Sequence, residues 1–205
     1  MIRLALVCLF LLPLGAAAQP WPSLYKVVHV AGDDSLNVRA KPSASSEVIG
    51  MIAPDRTGIE VTDISPDGKW ARVNSNESSG WASLRFLSKD LDFDWPPPSL
   101  SCFGTEPFWS ASFIHSRAGN SVTFKMMGAD EQEFQFPRLQ RSVNMLYRYS
   151  ETAWPPQGGD PINAFFSAQS CSDNMSEQLY GISIEALVPI DPDWVHFSGC
   201  CSISP

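Results

Sequence analysis

Short apolar runs separated by turn residues extend through most of the chain, without the 3.6-residue periodicity of an amphipathic helix. Gly, Pro, Asn and Asp cluster between the runs, for example at residues 66–68 and in a candidate hairpin turn at 119–120. The candidate strands are residues 25–30, 36–39, 48–52, 58–62, 70–74, 80–84, 108–115, 121–127, 134–136, 145–149, 162–168, 182–188 and 195–198. This pattern predicts an all-β protein built from antiparallel strands.

Residues 1–18 are typical of an export signal. Arg3 supplies a positive charge, residues 4–14 are largely apolar, and three alanines at 16–18 suit a signal peptidase. About eleven apolar residues are too few to cross a bilayer, which requires roughly 20. We therefore expect cleavage after Ala18 and a periplasmic or secreted protein with no membrane span in the mature chain.

The charge balance narrows the choice of partners. The formal net charge is −8, and removal of Arg3 with the signal makes it more negative. The chain contains no block of Lys and Arg that would attract a nucleic acid by bulk electrostatics. A nucleic-acid partner is therefore not expected.

Four cysteines follow the signal, and all of them lie in the second half of the chain: Cys102, Cys171, Cys200 and Cys201. An even number of cysteines in an oxidising compartment predicts two disulfides. Side chains alternate between the faces of a strand, so Cys200 and Cys201 should have different partners rather than each other. No C-x-x-C pair indicates a zinc site, and we expect no metal and no cofactor.

Five motifs in the first half occur in a recognisable order: LNVRAKP at 36–42, VIG at 48–50, GIEV at 58–61, GKWARV at 68–73 and GWAS at 80–83. This region resembles the bacterial SH3 (SH3b) family. The resemblance implies a small SH3-like barrel over residues 24–89, and binding to peptidoglycan or to an envelope protein or peptide.

Four residues in these motifs are candidate ligand contacts of the barrel: Asn37, Arg39, Trp70 and Trp81. Packing in the core is the commoner role for tryptophans at these strand positions. Trp81 is the better candidate for partial exposure.

A proline-rich segment at residues 90–100 follows the barrel and contains three consecutive prolines at 96–98. Proline cannot donate a sheet hydrogen bond and favours an extended, semi-rigid chain. The segment is therefore predicted to be a linker to a second β-rich domain, residues 101–205.

The second half carries its own motifs: GTEPFW at 104–109, CSDNMS at 171–176 followed by Tyr180, and SGCC at 198–201. It resembles uncharacterised exported bacterial proteins with an N-E-P-F-W or T-E-P-F-W motif and a cysteine-containing G-C ending. The resemblance implies a Cys171–Cys200 disulfide, which leaves Cys102 for Cys201. Glu106 and Trp109 are further candidate ligand contacts, although the usual place for such a tryptophan is the core.

Signatures of catalysis are weak. A cysteine peptidase or amidase would need Cys171 as a thiolate near His196, but Cys171 belongs to a set expected to be oxidised. A carboxylate pair of Glu106 and Asp173 is the other option, and capping of local turns is a sufficient role for both.

We predict a noncatalytic, exported cell-envelope binding protein. The alternatives are a cell-wall-modifying hydrolase with an SH3b targeting domain, or a periplasmic inhibitor or stress-protective factor.

Overall fold

The computed structural model describes residues 22–90, 95–137, 139–145 and 147–203. The predicted export signal lies outside these ranges. Apart from the 3₁₀ turn Leu84–Phe86, the regular elements in the described residues are β-strands, which confirms the predicted fold class. In the same residues no helix has the length and apolarity needed to cross a membrane.

The strands of the N-terminal unit are β1 (Ser23–Val27), β2 (Leu36–Arg39), β3 (Val48–Ile52), β4 (Ile59–Val61), β5 (Asp63–Ile64), β6 (Trp70–Ser75), β7 (Ser78–Ser83) and β8 (Leu87–Lys89). They form a small barrel of two sheets, ordered β4-β1-β8 and β3-β2-β7-β6-β5. Val38, Ala71, Val73 and Ala82 are fully buried in the barrel core. Because side chains alternate along each strand, the residues between these positions lie on the outer face.

The strands of the C-terminal unit are β9 (Ser99–Gly104), β10 (Trp109–Ser116), β11 (Gly119–Met126), β12 (Gln132–Phe136), β13 (Gln140–Arg141), β14 (Arg148–Ala153), β15 (Ile162–Cys171), β16 (Tyr180–Ile190) and β17 (Asp193–Ile203). They form one antiparallel sheet, ordered β12-β11-β10-β9-β17-β16-β15-β14-β13. Gln135 and Trp154 exchange two backbone hydrogen bonds of 2.8 Å, so the sheet closes on itself. Phenylalanines fill the interior, among them Phe113, Phe124 and Phe166.

Both disulfides are present with the pairing that the resemblance implied. Cys102–Cys201 joins the neighbouring strands β9 and β17, where the two residues lie directly opposite each other. Cys171–Cys200 joins the last residue of β15 to the residue that precedes Cys201 on β17. Cys200 and Cys201 thus have different partners, as strand alternation predicts.

Several predicted boundaries need correction. Strand β9 begins at Ser99, inside the predicted linker, and its buried positions alternate regularly. Strand β14 begins at Arg148, so the predicted strand at 145–149 is displaced toward the C-terminus. The hairpin after β10 turns at Arg117 and Ala118, and Gly119 is already paired with Ser116. Pairing with the distant strand β17 as well as with β10 extends β9 into the predicted linker, while the other two corrections are shifts in the register of neighbouring strands.

The proline run is fastened to the C-terminal unit rather than forming a free spacer. The backbone N–H of His115 donates to the carbonyl of Pro98 at 2.8 Å, and the His115 Nδ1–H donates to Pro97 at 2.7 Å. Trp95 packs on Tyr149 with ring centroids 5.5 Å apart. The chain between the two units is therefore held in place from Trp95 onward.

A loop of the C-terminal unit, residues 172–179, lies against the β6–β7 hairpin of the barrel. The backbone N–H of Ser79 donates a hydrogen bond of 3.1 Å to the backbone carbonyl of Glu177. The side-chain amide of Asn74 donates to the Leu179 carbonyl at 3.1 Å and accepts from its N–H at 3.2 Å. On the other side, Leu24 of β1 is buried in the core of the C-terminal unit. The two units therefore share an extensive contact.

Asn74→Ala is expected to lower the free energy of unfolding by about 1 to 3 kcal/mol, because the backbone groups of Leu179 lose both partners in a partly buried place. Urea denaturation followed by tryptophan fluorescence measures the change. The matched control is Asn144→Ala, since Asn144 is exposed in a loop. Equal stability of the two variants would contradict the coupling assigned to Asn74.

Candidate functional site

Aromatic and cationic side chains share the outer face of β2, β7 and β6. Arg39 on β2 lies opposite Trp81 on β7, and Trp81 lies opposite Arg72 on β6. The Arg72 guanidinium carbon is 4.7 Å from the centroid of the Trp81 ring, within the range of a cation–π contact. Trp81 is therefore flanked by two arginines, and we call these three residues the outer platform.

A groove of about 540 Å³ opens beside the outer platform. Its lining contains three of the predicted ligand contacts, Asn37, Arg39 and Trp70. We call it the Trp70 groove. It also contains residues that sequence reasoning did not select: His29, Arg85 and Phe86.

Neither Trp70 nor Trp81 lies in the barrel core. Both are partly buried and lie on the outer face, because side chains alternate along β6 and β7 and the inward positions next to them belong to Ala71 and Ala82. The expectation of core packing is therefore wrong for both, and the partial exposure expected of Trp81 is confirmed. Their role in ligand binding stays a prediction.

Local contacts hold the two arginines beside Trp81. Nη1 of Arg39 donates to the backbone carbonyl of Ser46 at 2.7 Å. Nη2 of Arg72 lies 3.7 Å from a carboxylate oxygen of Asp63. Both guanidinium groups are thus positioned before any ligand arrives, which reduces the entropy lost on binding.

Arg72 is the residue of the outer platform that sequence reasoning missed. It lies two residues after Trp70 on the same strand, so period-two alternation places both on one face. Arg85 lacks such a signal, because it follows the strand in the 3₁₀ turn and reaches the groove only through that turn.

The two candidates in the second half are placed differently. Trp109 is only 4% exposed and packs on Phe124 and Phe197, with ring centroids 5.9 and 5.7 Å apart. Its neighbour Phe108 is 43% exposed. A side chain on Gly104 would collide with the Trp109 indole, so the glycine of the GTEPFW motif makes room for that ring. The structure therefore shows the core role for Trp109.

Glu106 is exposed in the turn between β9 and β10 and does not line the Trp70 groove. The adjacent Thr105 hydroxyl donates to the backbone carbonyl of Asp173 at 3.2 Å, which connects this turn to the 172–179 loop.

Burial opposes ionisation of Asp173, but backbone N–H groups of Ser176 and Met175 donate to its carboxylate and lower its pKa. Asp173 therefore organises the loop that contacts the barrel.

His115 and Glu151 form a buried pair in the C-terminal unit. His115 Nε2 lies 2.7 Å from Glu151 Oε1, and the two side chains are 9% and 1% exposed. Burial raises the pKa of Glu151, while the hydrogen bond to His115 acts against that change. Because the other nitrogen of His115 donates to Pro97, the pair fastens the proline run to the sheet.

The residues proposed for a cysteine peptidase are not arranged for catalysis. Cys171 is bonded to Cys200, and a disulfide sulfur cannot act as a thiolate nucleophile. His196 is 60% exposed and pairs with Glu185 at 2.8 Å. Within the described ranges, no three or more His, Cys, Asp or Glu side chains form a group that could hold a metal ion.

Comparison with known proteins identifies part of the barrel. A family model described as bacterial SH3 domain matches residues 34–88. This range includes Asn37, Arg39, Trp70 and Trp81, and supports the resemblance drawn from the five motifs. A search of curated proteins finds no match to the chain.

Proposed function

We propose that this is an exported, noncatalytic binding protein of the bacterial cell envelope, whose outer platform and Trp70 groove bind peptidoglycan or an envelope peptide. The observation that carries the proposal is Trp81 flanked by Arg39 and Arg72 beside an open groove. The family match adds support, since bacterial SH3 domains are of a cell-wall-binding type.

The chemistry of the surface suits such a ligand. Indole rings pack against the apolar C–H faces of sugars and peptide side chains, and tryptophan and arginine are enriched where binding energy concentrates. Guanidinium groups donate several hydrogen bonds in a fixed geometry to carbonyl and carboxylate oxygens. A polymer of sugars and short peptides offers both kinds of group.

The compartment is consistent with the proposal. Two disulfides and a bacterial SH3 domain fit an extracytoplasmic protein. We propose that residues 1–18 direct export and are removed, which places the mature chain in the periplasm or outside the cell.

Trp81→Ala is expected to weaken binding to purified peptidoglycan by tenfold or more, which corresponds to about 1.4 kcal/mol or above. The loss follows from removing the ring that Arg72 covers and Arg39 adjoins. Co-sedimentation of the full chain without its leader measures the effect, and the chain is kept whole because Leu24 belongs to the other unit's core.

Trp194→Ala is the matched control, because Trp194 is an exposed tryptophan of the C-terminal unit and lies outside the proposed site. Equal binding by the unsubstituted protein and Trp81→Ala would contradict the assignment of the site. Release of soluble fragments from the wall during the same incubation would contradict the noncatalytic part of the proposal.

A further inference from the structure

We infer that the Trp70 groove recognises a carboxylate of its ligand through Arg39, and that peptide-stem carboxylates of peptidoglycan supply this group. The inference rests on the proposed function and names the chemical group that the site selects. It depends on the charge of the groove, on the unsatisfied donors of Arg39 and on the apolar wall beside them.

The charge of the groove is opposite to that of the whole chain. The chain carries a formal net charge of −8, yet two arginines, Arg39 and Arg85, line the groove with one carboxylate, Asp34. One oxygen of Asp34 already accepts a hydrogen bond of 2.7 Å from the N–H of Ser35. The groove is therefore a local cationic site on an acidic protein, and it favours an anionic group.

Arg39 has donors left for a ligand. Its Nη1 donates to the carbonyl of Ser46, which fixes the guanidinium group. Its Nε and Nη2 make no hydrogen bond to any residue in the described part of the chain. Two parallel N–H donors match the two oxygens of a carboxylate, which is the geometry of a bidentate arginine pair.

The neighbouring arginine is less available. Arg72 lies over the Trp81 ring and is 3.7 Å from the Asp63 carboxylate, so part of its charge is already balanced. Arg39 is also partly buried, where a charged hydrogen bond is less screened by solvent than at an exposed site. Arg85, the other arginine of the groove, is exposed, and its guanidinium carbon lies 5.6 Å from the centroid of the Phe86 ring. These differences single out Arg39 as the residue that binds the carboxylate.

The remaining lining favours a peptide carboxylate over a bare anion. Trp70 forms an aromatic wall of the same groove, and Asn37 and Ser83 add uncharged polar groups. An anion joined to apolar carbons and amides satisfies all three kinds of lining, as a short peptide ending in a carboxylate does. Peptidoglycan stems combine these features.

The test compares binding to native and carboxyl-amidated peptidoglycan, both freed of phosphate-containing polymers. Amidation with carbodiimide and ammonia neutralises the ligand and leaves the protein unaltered, so the result does not depend on the folding of a variant. We expect amidation to weaken binding about tenfold. Arg39→Gln should weaken binding to the native wall to the same extent and change binding to the amidated wall little.

Two further variants sharpen the result. Arg39→Lys keeps the charge but lacks the planar pair of donors, so it should recover only part of the affinity. Arg117→Gln, at an exposed turn of the C-terminal unit, should leave binding unchanged.

Unchanged binding after amidation would overturn the carboxylate assignment while the proposed function stands. Failure of the unsubstituted protein to sediment with native wall would overturn the proposed function, and this inference with it.

Discussion

Glu60→Gln is expected to make the protein increasingly more stable than the unsubstituted chain as the pH rises from 5 to 9. Glu60 on β4 is a partly buried residue whose carboxyl lies beside strand β17. Its Oε2 accepts a 3.3 Å hydrogen bond from the N–H of Ile203, and its buried Oε1 has no hydrogen-bond partner in the described part of the chain. Burial raises the pKa of Glu60 to about 8, against the opposing effect of the Ile203 hydrogen bond.

The direction of the effect follows from proton linkage. The folded protein holds the Glu60 proton to a higher pH than the unfolded chain, so folding is most favoured below the ordinary glutamate pKa. That contribution is lost as the pH rises from about 4.5 toward 8 and beyond, by roughly 3 kcal/mol at pH 7 and roughly 4 to 5 kcal/mol at pH 9. Glutamine cannot ionise, so the variant avoids this loss.

The free energies of unfolding of both proteins, measured by urea denaturation at each pH, give the comparison. Glu47→Gln is the matched control, because Glu47 is an exposed glutamate of the same barrel. The difference between Glu60→Gln and the unsubstituted chain should grow with pH, and that of Glu47→Gln should not. A constant difference across this range would show that Glu60 is not buried as its contacts require.

The parts of the fold that depend on local pattern were predictable. Strands β2 and β3 have the predicted bounds, 36–39 and 48–52, because alternation and turn residues define short strands from within. The same alternation could have placed Arg72 beside Trp70 on the outer platform. Family resemblance supplied the disulfide pairing, which alternation alone left open.

What escaped prediction depends on residues that are far apart in the chain. Glu60 alternates with Ile59 and Val61 and should face solvent, but Ile203 and the C-terminal unit cover it. His115 meets Glu151 only because the sheet closes on itself. No sequence window contains these contacts, and they decide which polar groups are buried.

The two motifs of the second half acquire a structural role from the same long-range contacts. Thr105 of GTEPFW binds the Asp173 backbone of CSDNMS, and the loop ordered by Asp173 contacts the β6–β7 hairpin of the barrel. The indole of Trp109 fills the core beneath. These motifs therefore connect the two units, and the ligand contacts proposed above lie in the barrel.

Replacement of both Cys102 and Cys201 by alanine is expected to lower the free energy of unfolding by about 4 to 5 kcal/mol, the chain-entropy value for a loop of this length. The two residues are 99 positions apart, and their bond closes almost the whole C-terminal unit. Replacement of Cys171 and Cys200, which are 29 positions apart, should lower the free energy of unfolding by about 3 to 4 kcal/mol. The two double variants can therefore be compared directly, because they differ in the length of the loop that the disulfide closes. Denaturant unfolding of the three proteins under oxidising conditions measures both losses. A smaller loss for the Cys102 pair than for the Cys171 pair would show that loop length does not set the contribution of these disulfides. In that case packing around Cys171 and Cys200, rather than restriction of the unfolded chain, would be the main source of their stabilisation.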